Sequence, residues 1–481
     1  MGVLSELEPK EVFHYFEEIS HIPRASYKED KISDYCVSFA KERGLTVYQD
    51  EYKNVIIIKD ATPGYENVEP VVLQGHLDMV CEKEPDCTID FDKDGLTLEV
   101  NGDYITAKGT TLGGDDGIAV AYALAILDSD TIEHPRLEVI FTTAEEVGME
   151  GASGIDVSML RGKKLLNLDS EEEGYMLISC AGGSSVECVL PVQWEKASGS
   201  VLEVTVDGLL GGHSGTEIDK GRANANLLMG RVLLEAGKSV PYRLSACEGG
   251  GKDNAIPRKS VAQVLVPEGE ESAFELAVAE TKKAVQAEYA GSDSGICIQV
   301  QQMGTQEAEV LTEESLQKAL QLLLHLPNGI QRMSSDIEGL VETSLNLGIL
   351  KLGQEALSLR YAVRSSVGTA KEYLVAQMEH LTAYLGGHIV RTGDYPAWEY
   401  NRNSVLREDM IRIYRQMYGK EPVIQAIHAG LECGILAGKI EGLDAVSIGP
   451  DMQDIHTTEE KLSISSTKRV WEYILEVIKC K

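Results

Sequence analysis

Basic residues are scarce in this chain: 44 lysines and arginines stand against 77 aspartates and glutamates, a formal charge of −33 at neutral pH. Such a field repels a polyphosphate backbone, so nucleic acid is not an expected partner. Long apolar runs are missing too. The longest, residues 117–127, is about half of what a bilayer-spanning helix needs, and no membrane partner is expected. Nine cysteines are scattered without a Cys-x-x-Cys pair, which leaves neither a disulfide framework nor a thiolate zinc site. The opening Met-Gly-Val-Leu-Ser-Glu lacks a basic stretch followed by an apolar one and has Glu6 where an N-myristoylation signal wants Ser or Thr. A cytoplasmic location is the expectation.

What remains is an ordinary soluble composition, 43% hydrophobic and 25% charged, on a chain long enough for more than one domain. Helical spacing over residues 9–19 and 28–43 gives way to short apolar runs at 55–58, 71–73, 137–141 and 164–168. An Ala-rich apolar helix at 118–127 lies among them. Strand and helix alternating in this way predict an α/β sheet covered on both faces. Between about 185 and 393 the strands alternate more clearly (202–206, 260–266, 296–302, 356–363), separated by long polar-faced helices. The expected organisation is therefore an α/β domain, residues 1–185 and 394–481, interrupted by an α+β insertion, residues 186–393.

The acids and histidines fall at one kind of place. Val71-Val-Leu-Gln-Gly75 runs into His76-Leu-Asp78, residues 137–143 run into Glu145-Glu146, residues 164–168 end on Asp169, and residues 445–448 lead to Asp454 and His456. Each strand delivers a metal-type ligand just past its carboxyl end, the edge where open α/β sheets bind ligands. Asp115, in Leu112-Gly-Gly-Asp-Asp-Gly117, follows glycines at the start of the buried helix. Alone it reads more readily as a helix cap, just as Glu145-Glu146 alone reads as a solvated pair. Together His76, Asp115, Glu146, Asp169 and His456 offer the nitrogen and carboxylate oxygen that borderline divalent ions prefer.

Gly75-His-Leu-Asp-Met79, Gly113-Gly-Asp-Asp-Gly117, Glu145-Glu-Val-Gly-Met149, Asn167-Leu-Asp-Ser-Glu171, Gly211-Gly-His-Ser-Gly215 and Asp454-Ile-His456 follow the order and spacing of the M20 metallopeptidases. Leu73-Gln-Gly-His-Leu-Asp-Met-Val80 and Ser179-Cys-Ala-Gly-Gly183 resemble its aminoacyl-histidine dipeptidase branch, also called peptidase D or Xaa-His dipeptidase. The resemblance spans essentially the whole chain. It implies a mixed-sheet zinc-peptidase catalytic domain with an inserted α+β lid and dimerisation domain, a homodimer, and a dipeptide substrate. It also implies two divalent ions per subunit, zinc first, with cobalt or manganese as the other candidates. His76 and Asp169 would bind one ion, Glu146 and His456 the other, and Asp115 both. Asp78 would orient His76, and Glu145 would be the general base and acid acting on a water activated between the ions. His213 would come from the partner subunit to stabilise the oxyanion, while Asn254, Arg364 and Gly430 would hold the substrate, the arginine through its carboxylate. The family shows Ala, Asp and Asn where this chain has Gly114-Asp115-Asp116, and Pro near Thr458, so Asp116 adds an acid beside the bridge. His428 has no role in the pattern. Related M20 enzymes remove N-acyl groups or cut tripeptides, and a metal-dependent binding protein is the non-enzymatic alternative; retention of Glu145 beside all five ligands speaks for a catalyst.

Overall fold

A computed structural model describes residues 2–480, which divide into two compact units: residues 2–180, 400–426 and 431–480, and residues 181–399 with 427–430. The sequence places the crossings near 185 and 393, and the short return at 427–430 has no signal in composition or periodicity. Among the described residues no helix is long and apolar enough to cross a membrane.

The first unit is built on an eight-stranded sheet, ordered Thr46–Gln49, Val55–Lys59, Leu137–Thr142, Val71–His76, Lys164–Asn167, Asp444–Ser447, Tyr175–Cys180 and Val423–Ile427. The four middle strands, from Leu137–Thr142 to Asp444–Ser447, are mutually parallel. Leu137–Thr142 and Val71–His76 are buried along their whole length, which is why their sequences run apolar rather than alternating. Thr46–Gln49, Val55–Lys59 and Tyr175–Cys180 join this block by antiparallel pairing, so the sheet is mixed. The helix Gly114–Asp128 is buried from Gly117 to Leu127, as an all-round apolar helix must be, and it packs with the strands in one core.

Since the four parallel strands run in one direction, their carboxyl ends share one edge of the sheet. These are the strands that lead to His76, Glu145-Glu146, Asp169 and the Asp454–His456 loop. The separate placement of the acids along the chain thus becomes a single line in space.

The second unit carries a nine-stranded sheet. Its main path runs Cys297–Leu311, Trp194–Asp207, Ser260–Val266, Arg243–Gly249, Val341–Leu352, Ala356–Ser365, Gly182–Pro191 and His388–Tyr395, and Gly329–Met333 pairs off it. All its pairings are antiparallel. The helices Ala225–Gly237, Glu271–Glu288, Glu313–His325 and Gly368–Tyr384 contribute apolar side chains to its core. A separate two-stranded ribbon pairs Gly212–His213 with Ala255–Ile256.

Helix and sheet of the first unit meet without clearance at Gly75. A Cβ there would lie 2.5 Å from the Ala119 Cβ and 2.6 Å from Asp116 Oδ2. Gly75→Ala should therefore lower stability by about 1–3 kcal/mol through overpacking, read as a lower urea midpoint. An unchanged midpoint would mean that the helix can yield at this contact.

Candidate metal and catalytic site

Asp115 occupies the centre of the site. It lies within the first turn of the helix Gly114–Asp128, but at φ −79° and ψ 107° its backbone is not helical, and Gly113, at φ 65°, takes the capping position. Its side chain caps nothing. Oδ1 is 2.9 Å from His76 Nε2, and Oδ2 is 3.1 Å from His456 Nε2. One carboxylate thus faces two imidazoles from different parts of the chain. Asp169 Oδ1 lies 3.6 Å from His76 Nε2 on one side, and Glu146 Oε1 lies 3.1 Å from His456 Nε2 on the other.

The loop that carries Asp115 is held by a residue with no prior signal. Glu460, buried at 2% exposure, accepts the N–H groups of Leu112 (2.7 Å), Gly113 (3.0 Å) and Gly114 (2.8 Å). Asp78 does more than orient His76. Its Oδ1 is 3.4 Å from His76 Nδ1, and its two oxygens also accept the backbone N–H groups of Glu145 (3.1 Å) and Glu146 (3.3 Å). Glu29, equally unexpected, accepts the N–H of Ala144 at 2.9 Å, where φ is 51° and the chain turns to place adjacent glutamates differently. Behind the sheet edge the buried Glu432 accepts from Gln74 Nε2 (2.5 Å) and Thr142 Oγ1 (2.6 Å). A lone buried acid of this kind looks in sequence like any other helix-start glutamate.

So many acids in one place demand positive charge. Asp115 and Glu146 push the His456 imidazole up to about 10. Burial would lower His76, but hydrogen bonds with Asp115, Asp169 and Asp78 raise it well above the ordinary imidazole value. Asp115 stays below the usual carboxylate range because its bonds with His456 and His76 outweigh burial. Burial raises Asp169 to about 6 against its bond with His76. Glu145 is raised well above its usual range by burial and by the charges of Asp169, Glu432 and Glu146. The extra acid, Asp116, is fully buried and likewise raised by burial and then by Asp169. One of its oxygens accepts the His76 N–H at 3.1 Å and the other has no partner. Burial thus mutes the added charge that its sequence position implied.

The donor sets suit divalent cations. His76, Asp116 and Asp169 bring ligand atoms within 4.8 Å of one another, as do Asp115, Glu146 and His456, and His76 with Glu145 and Glu146. The five ligand candidates expected from the sequence are all in the first unit, joined by Asp116 as a further donor.

The remaining candidates, His213, Asn254, Arg364 and Gly430, belong to the second unit. His213 Nδ1 accepts N–H bonds from Gly215 (3.3 Å) and Thr216 (3.2 Å), which puts the ring proton on Nε2. Burial and the nearby Arg364 lower its pKa, so the ring is neutral near pH 7. The carbonyl of Asn254 accepts the Ser214 N–H at 2.8 Å, tying its loop to the His213 ribbon. Arg364 Nη1 donates to Tyr395 Oη at 3.1 Å, while its buried Nε has no partner. Gly430 ends the segment 427–430, in which Nε2 of His428 lies 2.7 Å from Ser344 Oγ.

The sequence profile of peptidase family M20/M25/M40 matches residues 72–479. An Escherichia coli K12 protein, cytosol non-specific dipeptidase, is 36% identical over 481 residues, 100% of this chain and 99% of that protein. The crystal structure of aminoacylhistidine dipeptidase from Vibrio alginolyticus superposes with a TM-score of 0.93 at 35% identity, covering 99% of this chain and 97% of that one. An aminopeptidase from Bacillus cereus, at 16% identity and a TM-score of 0.57 over 98% of both chains, shares the fold.

Loading ions onto this cluster should release protons. In their absence His456, with its pKa near 10, is charged at pH 8, and an imidazole must be neutral to ligate. Calorimetric titration of zinc into chelator-treated protein at pH 8 should give heats that differ between buffers of low and high ionisation enthalpy. Identical heats would contradict the protonated cluster.

Proposed function

The chain belongs to peptidase family M20/M25/M40, and from that premise we propose that it hydrolyses the peptide bond of unblocked dipeptides, those ending in histidine among them. As a family member 36% identical end to end to a dipeptidase, it is a metallopeptidase acting on dipeptides. The observation that carries the reading is the division of Asp115 between His76 and His456. His76 and Asp169 would hold one divalent ion and Glu146 and His456 a second, with Asp115 shared. Zinc is our first assignment, cobalt or manganese the alternatives. When bound, the pair would supply Lewis acidity and bring the ionisation of a water down towards neutrality.

The side chains then do the rest of the work. Glu145, as a carboxylate that is not among the ligands, takes a proton from the water as it adds to the carbonyl carbon and delivers it to the departing amine as the C–N bond breaks. His213, neutral and protonated on Nε2, is a hydrogen-bond donor suited to the developing oxyanion. Arg364, with Nε free, offers its fork to the substrate's terminal carboxylate. Asn254 and the backbone at Gly430 complete the substrate contacts.

We further assign a homodimer in which His213 serves the neighbouring subunit. Support comes from the two edge strands of the second unit's sheet, Cys297–Leu311 and His388–Tyr395, which expose most of their residues; such edges invite pairing, and twofold association is its commonest form. A cytoplasmic location accords with the name of the Escherichia coli relative and with nine cysteines that are all free.

Glu145→Gln tests the core of this reading. It should cut turnover by about a hundredfold or more while two ions stay bound, because proton transfer is lost and every ligand remains. Loss of an ion on metal analysis would make Glu145 a ligand instead. Arg364→Lys should raise KM for free dipeptides far more than for C-terminally amidated analogues; equal effects would remove Arg364 from carboxylate recognition.

A further inference from the structure

Between the helices Lys10–Ser20 and Asp30–Glu42 the chain runs through Ile22-Pro-Arg24-Ala-Ser26. This segment lies along the loop after His76. The Arg24 carbonyl accepts the Met79 N–H at 3.1 Å, and Ser26 Oγ donates to Asp78 Oδ2 at 2.8 Å.

The Arg24 side chain, 2% exposed, then spans two loops. Nη1 donates to the carbonyls of Leu77 (3.1 Å) and Asp78 (3.0 Å), and Nη2 donates to the carbonyl of Gly113. One loop presents His76, the other Asp115. Glu460 grips the N–H groups of the second loop, so that loop is fixed through both its donors and its acceptors.

Room for the guanidinium is cut by glycines. A Cβ at Gly113 would lie 2.4 Å from Nη2, and one at Gly117 would lie 2.6 Å from it. The two outer glycines of Gly113-Gly-Asp-Asp-Gly117 are thus the floor beneath Arg24. Burying a guanidinium is costly unless its hydrogen bonds are met. Here Nη1 and Nη2 are met by main-chain carbonyls while the buried Nε has no partner, which makes the side chain a spacer between loops rather than one half of an ion pair.

We propose that Arg24 is a positioning residue that fixes the separation of His76 from Asp115 and so sets the affinity of the site for its ions. The inference rests on the reading of His76 and Asp115 as ligands. Lysine keeps the charge but not the planar fork that reaches both loops.

The test uses full-length protein, with zinc affinity measured by chelator competition and native folding checked by near-ultraviolet dichroism. Arg24→Lys should weaken zinc binding by about 10–100-fold, the range seen when groups that orient ligands are removed. KM for a dipeptide at saturating zinc should stay at the wild-type value, and excess zinc should restore turnover. Gly117→Ala, which displaces the guanidinium without changing charge and favours the helix, should weaken zinc binding in the same direction. It decides alone if Arg24→Lys does not fold. Folded variants with wild-type zinc affinity, or a raised KM that zinc does not correct, would overturn the proposal. A wild-type protein that binds no pair of ions would instead overturn the reading of the site itself.

Discussion

The two oxygens of Asp115 point at two imidazoles, 2.9 and 3.1 Å away, and the first unit is arranged to keep them there. Gly113 takes the capping position of the helix instead, and the backbone of Asp115 departs from helical geometry. The loop before it is held by Glu460 on the donor side and Arg24 on the acceptor side. His76 reaches it from the end of a fully buried strand, whose parallel neighbours bring the other acids to the same edge.

Charge is the second constraint. Water would dilute the repulsion among these acids, but Asp78, Asp116, Glu432 and Glu460 are all nearly excluded from solvent. The cluster responds by charging its histidines and by raising several of its carboxyls. Cations would relieve both effects. Within this field Glu145 and Glu146 are sequence neighbours with different surroundings. Asp78 accepts the backbone N–H of each, Glu146 reaches His456, and burial pushes the Glu145 carboxyl up.

The parallel core was legible because buried strands of this kind write continuous apolar runs, and the ends of those runs named His76, Glu146 and Asp169. The bounds came close: 118–127 was expected to be helix, and the helix is Gly114–Asp128. The strand Ser260–Val266 lies where its alternation placed it. Less visible were Tyr175–Cys180, which joins the sheet by antiparallel pairing, and Val341–Leu352, whose long pairing with Ala356–Ser365 no turn motif advertised. Arg24, Glu29, Glu432 and Glu460 were illegible for a different reason. Each acts through contacts distant in sequence, and a buried charged residue has no local pattern to distinguish it from an exposed one.

The central claim is that one carboxylate joins two ions. X-ray absorption on zinc-loaded protein, with zinc counted per chain, measures it directly. Two zinc ions per chain and a metal–metal scattering shell at roughly 3.5–4 Å are the expected result, with that shell lost in Asp115→Asn. A single ion, or two ions with no such shell, would contradict the account.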